Sequence, residues 1–365
     1  MAVAWTGVQR IAIVPVWNDL VDAPPDSDFG EQVTSRVFYD PQGMSGDDDS
    51  LENYVWTVSY GQASISGAVF RTVRSSGTDV TGAAMDSLPP GHGYTHLLAV
   101  LPHGFGPHRG AWAWWDTAPR NGITAFARVA LFEDPNQTRR QSTGVWAMET
   151  LHMVTEFGDL YNVSPSMGSY DVMASAGSSS HPCAHTKAAM GWIAPADIVR
   201  HGSGTRSYLL HAIGLRQPPP PGRVTAVRIP SRSGSRSFLV ETRLEVDQYE
   251  RRDGSGDGVP GEGVIVYEVA SQLDVKLRTS VALGAGQRYS NPDEGISVSV
   301  AGTVAGGHRV SITRSEDPKC EEIRERIEFL LEELKTTTDI DERKVLLKAL
   351  GAARQRAQAL GCSPS

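Results

Sequence analysis

Glu149 and His152 stand three residues apart in the stretch WAMETLHMVTEFGDLY (146–161), and Asp159 follows on the same segment. Residues three apart share one face of a helix, so this spacing presents a carboxylate and an imidazole together. They fill the second and fifth places of an H-E-x-x-H metal helix. In that arrangement two histidines hold zinc and the Glu polarises the attacking water. Such chemistry needs three protein ligands and one open position. The first place here is Met148, whose neutral, soft thioether is a poor zinc ligand beside imidazole and carboxylate. His152, Glu156 and Asp159 offer a substitute set at i, i+4 and i+7 if the helix continues that far. The alternative for His152 is a hydrogen-bonded core histidine. His181, Cys183 and His185 in SSSHPCAHTK are further metal-binding residue types, and spacing alone does not bring them to the same place.

Three other clusters could do chemistry. Asp253, Ser255, Asp257 and Gly258 match the first, third, fifth and sixth places of a calcium loop, but Val264 replaces the bidentate Glu at the twelfth, leaving a solvated turn as the alternative. GDDDS (46–50) is similarly ambiguous. His103, His108, Trp112, Trp114 and Trp115 fall in one aromatic stretch, read as loop, that could line a cleft or cover a core. Asn136 and Asn162 begin glycosylation sequons, which matter only for a secreted eukaryotic protein. No phosphate-binding glycine loop and no G-x-S-x-G elbow is present.

The elements that must position these residues can be read from pattern. RIAIVPVWND (10–19), THLLAVLP (95–102) and NGITAFARVALF are apolar runs of strand type, LENYVWTV reads as a helix, and 144–155 reads as the helix that carries Glu149 and His152. This mixture predicts an α+β domain over 1–200. From 201 to 315 the chain gives short strands separated by turns, predicting an antiparallel β domain packed on the first. After that, Ile323, Ile327, Leu330 and Leu334, then Leu346, Leu350, Ala353, Ala357 and Leu360, recur at helical spacing on either side of TTTDID. They predict a helical hairpin over 316–365, with Asp339 or Asp341 capping its second helix. Antiparallel pairing would bring Cys320 and Cys362 together at the open end, where a disulfide would close the hairpin; the alternative is two unrelated thiols.

Composition limits the function classes. The 365-residue chain has a formal charge of −8, which argues against a nucleic-acid partner. It contains no apolar run long enough to cross a membrane. The stretch MAVAWTGVQRIAIVPVWND lacks the charged start, long apolar region and cleavage site of a signal peptide.

Several segments, in order, resemble the immune inhibitor A family of secreted bacterial zinc metallopeptidases. LENYVWTVSYGQASISG resembles that family's helix running into a strand. METLHMVTEFGDLY resembles its zinc helix, GSYDVMASAG its methionine turn, HPCAHTKAAMGWI the segment ending in Gly-Trp, and FLVETR with VPGEGVIVYEV the paired strands beyond. The resemblance covers about residues 10–314 and excludes the helical tail. It implies a metzincin-like domain with a mixed sheet and an active-site helix, and a zinc-dependent endopeptidase activity. It also implies secretion, which a disulfide would suit. Position by position, it implies Glu149 as general base, His152 and Asp159 as zinc ligands, Met173 as the residue of the methionine turn, and Tyr170 and Asp171 as residues shaping that turn.

The departures from the family pattern concern the site itself. Met148 replaces the first ligand. Thr155 replaces a glycine that bends the chain out of the helix, and Gly158 is the expected substitute bend. Asp159 lies one residue further from His152 than in the family, and Glu268 stands where relatives often carry a histidine. These departures lead to the expectation of a catalytically inactive relative that binds a protein or peptide partner, or assembles through its helical tail. The alternative is an active zinc endopeptidase with a rearranged ligand set.

Overall fold

The computed structural model describes residues 2–20, 22–38, 49–104, 110–251, 258–316, 319–360 and 362. The calcium-loop residues Asp253, Ser255 and Asp257, the first acids of GDDDS and His108 lie outside the described residues. The chain divides into two compact units. The first comprises Met1–Ala194, Gly214–Pro218 and Glu245–Gly261, and the second comprises Pro195–Ile213, Pro219–Leu244 and Glu262–Ser365.

The first unit runs β1 (Gly7–Asn18), α1 (Phe29–Val37), α2 (Leu51–Val58), β2 (Ala63–Val69), β3 (Val73–Ser75), α3 (Val80–Asp86), β4 (His96–His103), β5 (Trp112–Arg120), β6 (Ile123–Phe132), α4 (Thr143–Thr155) and α5 (Ala184–Ala189). Its sheet has the order β2-β1-β4-β6-β5, with β3 also pairing to β1. Every pair is parallel except β5 with β6, so β5 is an antiparallel edge. A parallel sheet needs cover on both faces, which is why β1, β4 and β6 read as continuous apolar runs. On one face Ala12, Val14, Leu97, Ala99, Phe126 and Ala130 pack with Val80, Ala84, Met85 and Leu88 of α3 and its continuation. The other face, with Ile11, Ile13, Leu98, Val100 and Val129 buried, is covered by α1, α2 and α4.

Two elements depart from the sequence expectation. The aromatic stretch around Trp112 is strand β5 rather than loop, because Trp112, Ala113, Trp114 and Trp115 pair in register with Arg128, Ala127, Phe126 and Ala125. Helix α1 opens within DAPPDSDFGEQ (22–32), a stretch that reads as a loop by composition; it forms because Phe29, Val33 and Val37 recur on one buried face.

The second unit begins with β7 (Ile198–Arg200), β8 (Gly204–His211), β9 (Ala226–Pro230), β10 (Ser237–Arg243), β11 (Gly263–Val269) and β12 (Val275–Leu277). It continues through β13 (Arg288–Asn291), β14 (Ile296–Val304), β15 (Gly307–Arg314), α6 (Lys319–Thr336) and α7 (Ile340–Leu360). Two sheets, β12-β11-β10-β9-β7 and β13-β14-β15-β8, share one core that includes Leu210, Val227, Phe238, Val266, Val298 and Val310. The pairing is antiparallel except between β7 and β9, which run parallel. The α6–α7 hairpin buries Ile323, Ile327, Leu330 and Leu350 between its helices, with Leu334, Leu346, Ala353 and Ala357 packed against them. Cys320 and Cys362 form a disulfide. Asp339 caps α7, its Oδ1 accepting the backbone N–H groups of Asp341 and Glu342. The protein is therefore mixed α+β with a C-terminal helix pair, and no helix among the described residues is long and apolar enough to cross a membrane.

Candidate functional site

Helix α4 places Met148, Glu149 and His152 in the buried interior of the first unit. Its start is fixed at Gly144, where an added Cβ would lie 2.0 Å from the Ala176 carbonyl oxygen, so only glycine allows the loop to approach. Ser142 caps this end, its side chain accepting the Gly144 N–H. At the other end the helix stops at Thr155. The Thr155 hydroxyl donates to the Leu151 carbonyl (2.6 Å) and accepts the Phe157 N–H (3.2 Å), drawing the chain off the helix axis.

The bend is made by Glu156, which adopts the left-handed conformation at φ 56 and returns its N–H to the His152 carbonyl. This corrects two expectations. Gly158 is not the bend residue. Glu156 is an exposed cap rather than a third ligand on the face of His152, because the helix ends before the i+4 position is reached.

The bend brings Asp159 back to the helix, so that the His152 Nε2 and an Asp159 carboxylate oxygen stand 2.9 Å apart. The other ring nitrogen, Nδ1, faces the Phe157 carbonyl, which orients the imidazole. Burial works to lower the His152 pKa, but the Asp159 carboxylate and the Phe157 carbonyl outweigh it and raise it. Burial likewise works to raise Asp159, yet its bond to His152 outweighs that and lowers it. Each partner therefore favours the charged form of the other. Tyr161 hydrogen-bonds the same carboxylate, and burial together with this contact pushes its hydroxyl up to about 12. Glu149 is pushed up to about 7, mainly by burial; nearby Asp159 adds to this, while His152 and Arg128 oppose it.

Beyond Asp159 the chain makes a buried turn at residues 170–174. Asp171 accepts hydrogen bonds from the Met173 N–H (2.8 Å), the Cys183 N–H (2.9 Å) and the Thr186 hydroxyl (2.6 Å). The Met173 carbonyl in turn accepts the Leu160 N–H (2.9 Å), tying the turn to the segment that carries Asp159. Tyr170 and Met173 are both buried. Strand β5 borders α4, with the Trp115 indole N–H donating to the Met153 carbonyl (3.0 Å).

Other sequence candidates fall elsewhere. His181 is fully buried between the Asp247 carboxylate (2.9 Å) and the Lys187 ammonium (3.1 Å), and this structural relay holds Asp247 down at about 2. Cys183 contributes its N–H to Asp171 and has a buried thiol. The His185 ring lies 6.4 Å from that of Phe157. His103 pairs with Asp22 (2.9 Å). Trp112 packs on Phe126 under Arg128, whereas Trp114 is largely exposed. Glu268, in the second unit, is clamped by Arg236 and Arg278. Asn136 and Asn162 are exposed. Sequence reasoning gave no role to Arg128, Tyr161 or the Phe157 carbonyl; only the FGDLY segment, already singled out, pointed toward the last two.

The zinc implied by the family resemblance does not fit these side chains. Catalytic zinc takes three protein ligands. Here His152 and Asp159 converge, and the remaining position is the thioether of Met148. Among the described residues no group of three His, Cys, Asp or Glu side chains is placed to hold a metal. What the set can do is hold and release a proton near neutrality, at Glu149, beside the hydrogen-bonded His152–Asp159 pair.

No protein-family model matches this chain, and no curated protein matches it with significance.

Proposed function

We propose that this chain is a metallopeptidase-like protein of the immune inhibitor A type that lacks zinc-dependent catalysis and is retained for binding or assembly. The observation that carries the reading is the state of the ligand positions: His152 and Asp159 pair with each other at 2.9 Å, and the first position is the thioether of Met148. Further support comes from the order of the parts. A mixed sheet is followed by the helix with Glu149 and His152, then by the bend to Asp159 and the buried turn around Asp171 and Met173. The antiparallel edge strand β5 runs beside α4, and an open strand edge can accept an extended polypeptide by strand addition. The closed Cys320–Cys362 disulfide suits a secreted protein. The helical hairpin leaves Phe329, Ile340, Val345 and Leu347 exposed, a surface suited to assembly.

One observation favours an active enzyme with rearranged ligands: Glu149 is held at about 7, a value suited to a general base. Zinc content and cleavage of casein or peptides, with and without a chelator, decide between the two. The proposed reading expects no stoichiometric zinc and no chelator-sensitive cleavage; finding both overturns it.

A further inference from the structure

The second unit carries a cationic cleft that the reading of α4 does not use. A cavity of about 460 Å³ opens beside β8, and its lining includes Arg206, Arg223 and Arg309 but no Asp or Glu. Among the described residues none of the three arginines is ion-paired. Arg206 lies over the Tyr208 ring at 5.4 Å, Arg223 donates to the Ala305 carbonyl, and Arg309 stands opposite Leu209 in the β15–β8 ladder. The register puts Arg206 on the core face of the β15–β8 ladder and Arg309 on the opposite face, so the edge of β8 is flanked by cationic side chains on both faces, in a chain whose formal charge is −8. An anionic ligand at this edge would gain charge-assisted hydrogen bonds.

A second observation says what form the anion takes. Strand β8 is the last strand of its sheet. Its outer edge is used only toward its end, where the Leu209 carbonyl accepts the Val224 N–H (3.0 Å) and the His211 N–H donates to the Val224 carbonyl (2.8 Å). Alternate residues of a strand turn their backbone groups to the same edge. Thr205 and Ser207 therefore turn theirs to the edge that Leu209 and His211 use, both residues are exposed, and no described strand pairs with them there. An open strand edge running into an arginine-lined cavity matches an extended chain with acidic side chains: the backbone is held by strand addition and the carboxylates by guanidinium groups.

We propose that the β8 cleft binds an extended, acidic polypeptide segment. This gives the binding role proposed above a surface and a partner chemistry. It rests on that reading only for the idea that binding is the chain's task, and because zinc and cleavage are read in separate assays, either proposal can fail alone.

The test is fluorescence anisotropy with a dye-labelled oligo-Glu peptide, which presents carboxylates on both faces of an added strand, alongside counterparts in which Glu is replaced by Gln or Lys. Saturable binding of the Glu peptide that weakens with salt is expected, with none by the Lys peptide. The double variant Arg206→Gln, Arg309→Gln should weaken it roughly tenfold. N-methylation of alternate peptide amides, which needs no protein variant, should weaken it by a similar factor because it removes the strand-pairing N–H groups. The proposal is overturned by absence of saturable binding, by equal binding of the Gln or Lys peptide, or by indifference to N-methylation. It is also overturned if a sulfated saccharide binds this cleft and the peptide does not displace it.

Discussion

Replacing Glu149 with Gln should stabilise the protein at pH 8 and change it little at pH 5. Burial raises the Glu149 carboxyl from 4.5 to about 7. A group whose folded value lies above its unfolded value contributes stability that is fully present below the unfolded value and is lost as pH rises through the folded one. The loss therefore develops between pH 4.5 and about 7. At 1.36 kcal/mol per unit, it amounts to about 3 kcal/mol once the pH exceeds both values. Glutamine has nearly the same shape and never ionises, so the variant should recover about 3 kcal/mol at pH 8 and less than about 1 kcal/mol at pH 5. The attraction between Glu149 and His152 does not reverse the sign, because that attraction already opposes the upward shift and burial outweighs it. Urea denaturation followed by tryptophan fluorescence is the assay. All eight tryptophans lie between positions 5 and 192, so the signal reports the first unit. Equal changes at the two pH values, or destabilisation at pH 8, would refute the reasoning.

Two further substitutions test the frame around the site. Asp171→Ala leaves the Met173 and Cys183 N–H groups and the Thr186 hydroxyl buried without their acceptor. It should cost about 3 kcal/mol or more in the same denaturation assay, with Asp171→Asn intermediate because one acceptor oxygen remains. Removing the disulfide with Cys320→Ser and Cys362→Ser opens a loop with a sequence separation of 42. It should destabilise the helical hairpin by about 2–4 kcal/mol, seen as earlier loss of helical circular dichroism with the tryptophan transition unchanged.

Much of the fold is legible in the sequence because burial leaves a pattern. The continuous apolar runs of β1, β4 and β6 follow from a sheet covered on both faces, and the α6 and α7 seams follow from helical spacing. The elements missed have weaker local signals. Strands β7, β12 and β13 are only three or four residues long. Strand β5 shows its pairing only against β6, and α1 has a narrow apolar face in a polar stretch.

The site was legible up to the end of α4. Beyond it, the bend depends on Glu156 in a left-handed conformation and on the Thr155 hydroxyl, and neither residue type announces a bend as glycine would. That bend decides which carboxylate meets His152, selecting Asp159 and excluding Glu156. The influence of Arg128 on Glu149 crosses from β6 to α4 and has no sequence signature.

The central claim is that one missing ligand separates this site from a zinc site. It is tested most directly by measuring bound zinc, by elemental analysis after dialysis against low free zinc, in the natural protein and in Met148→His. The expected result is no retained zinc in the natural protein and one zinc per chain in the variant, since His152 and Asp159 already converge and a histidine at 148 would complete three ligands. One zinc per chain retained by the natural protein, or none by a folded Met148→His variant, would contradict the account.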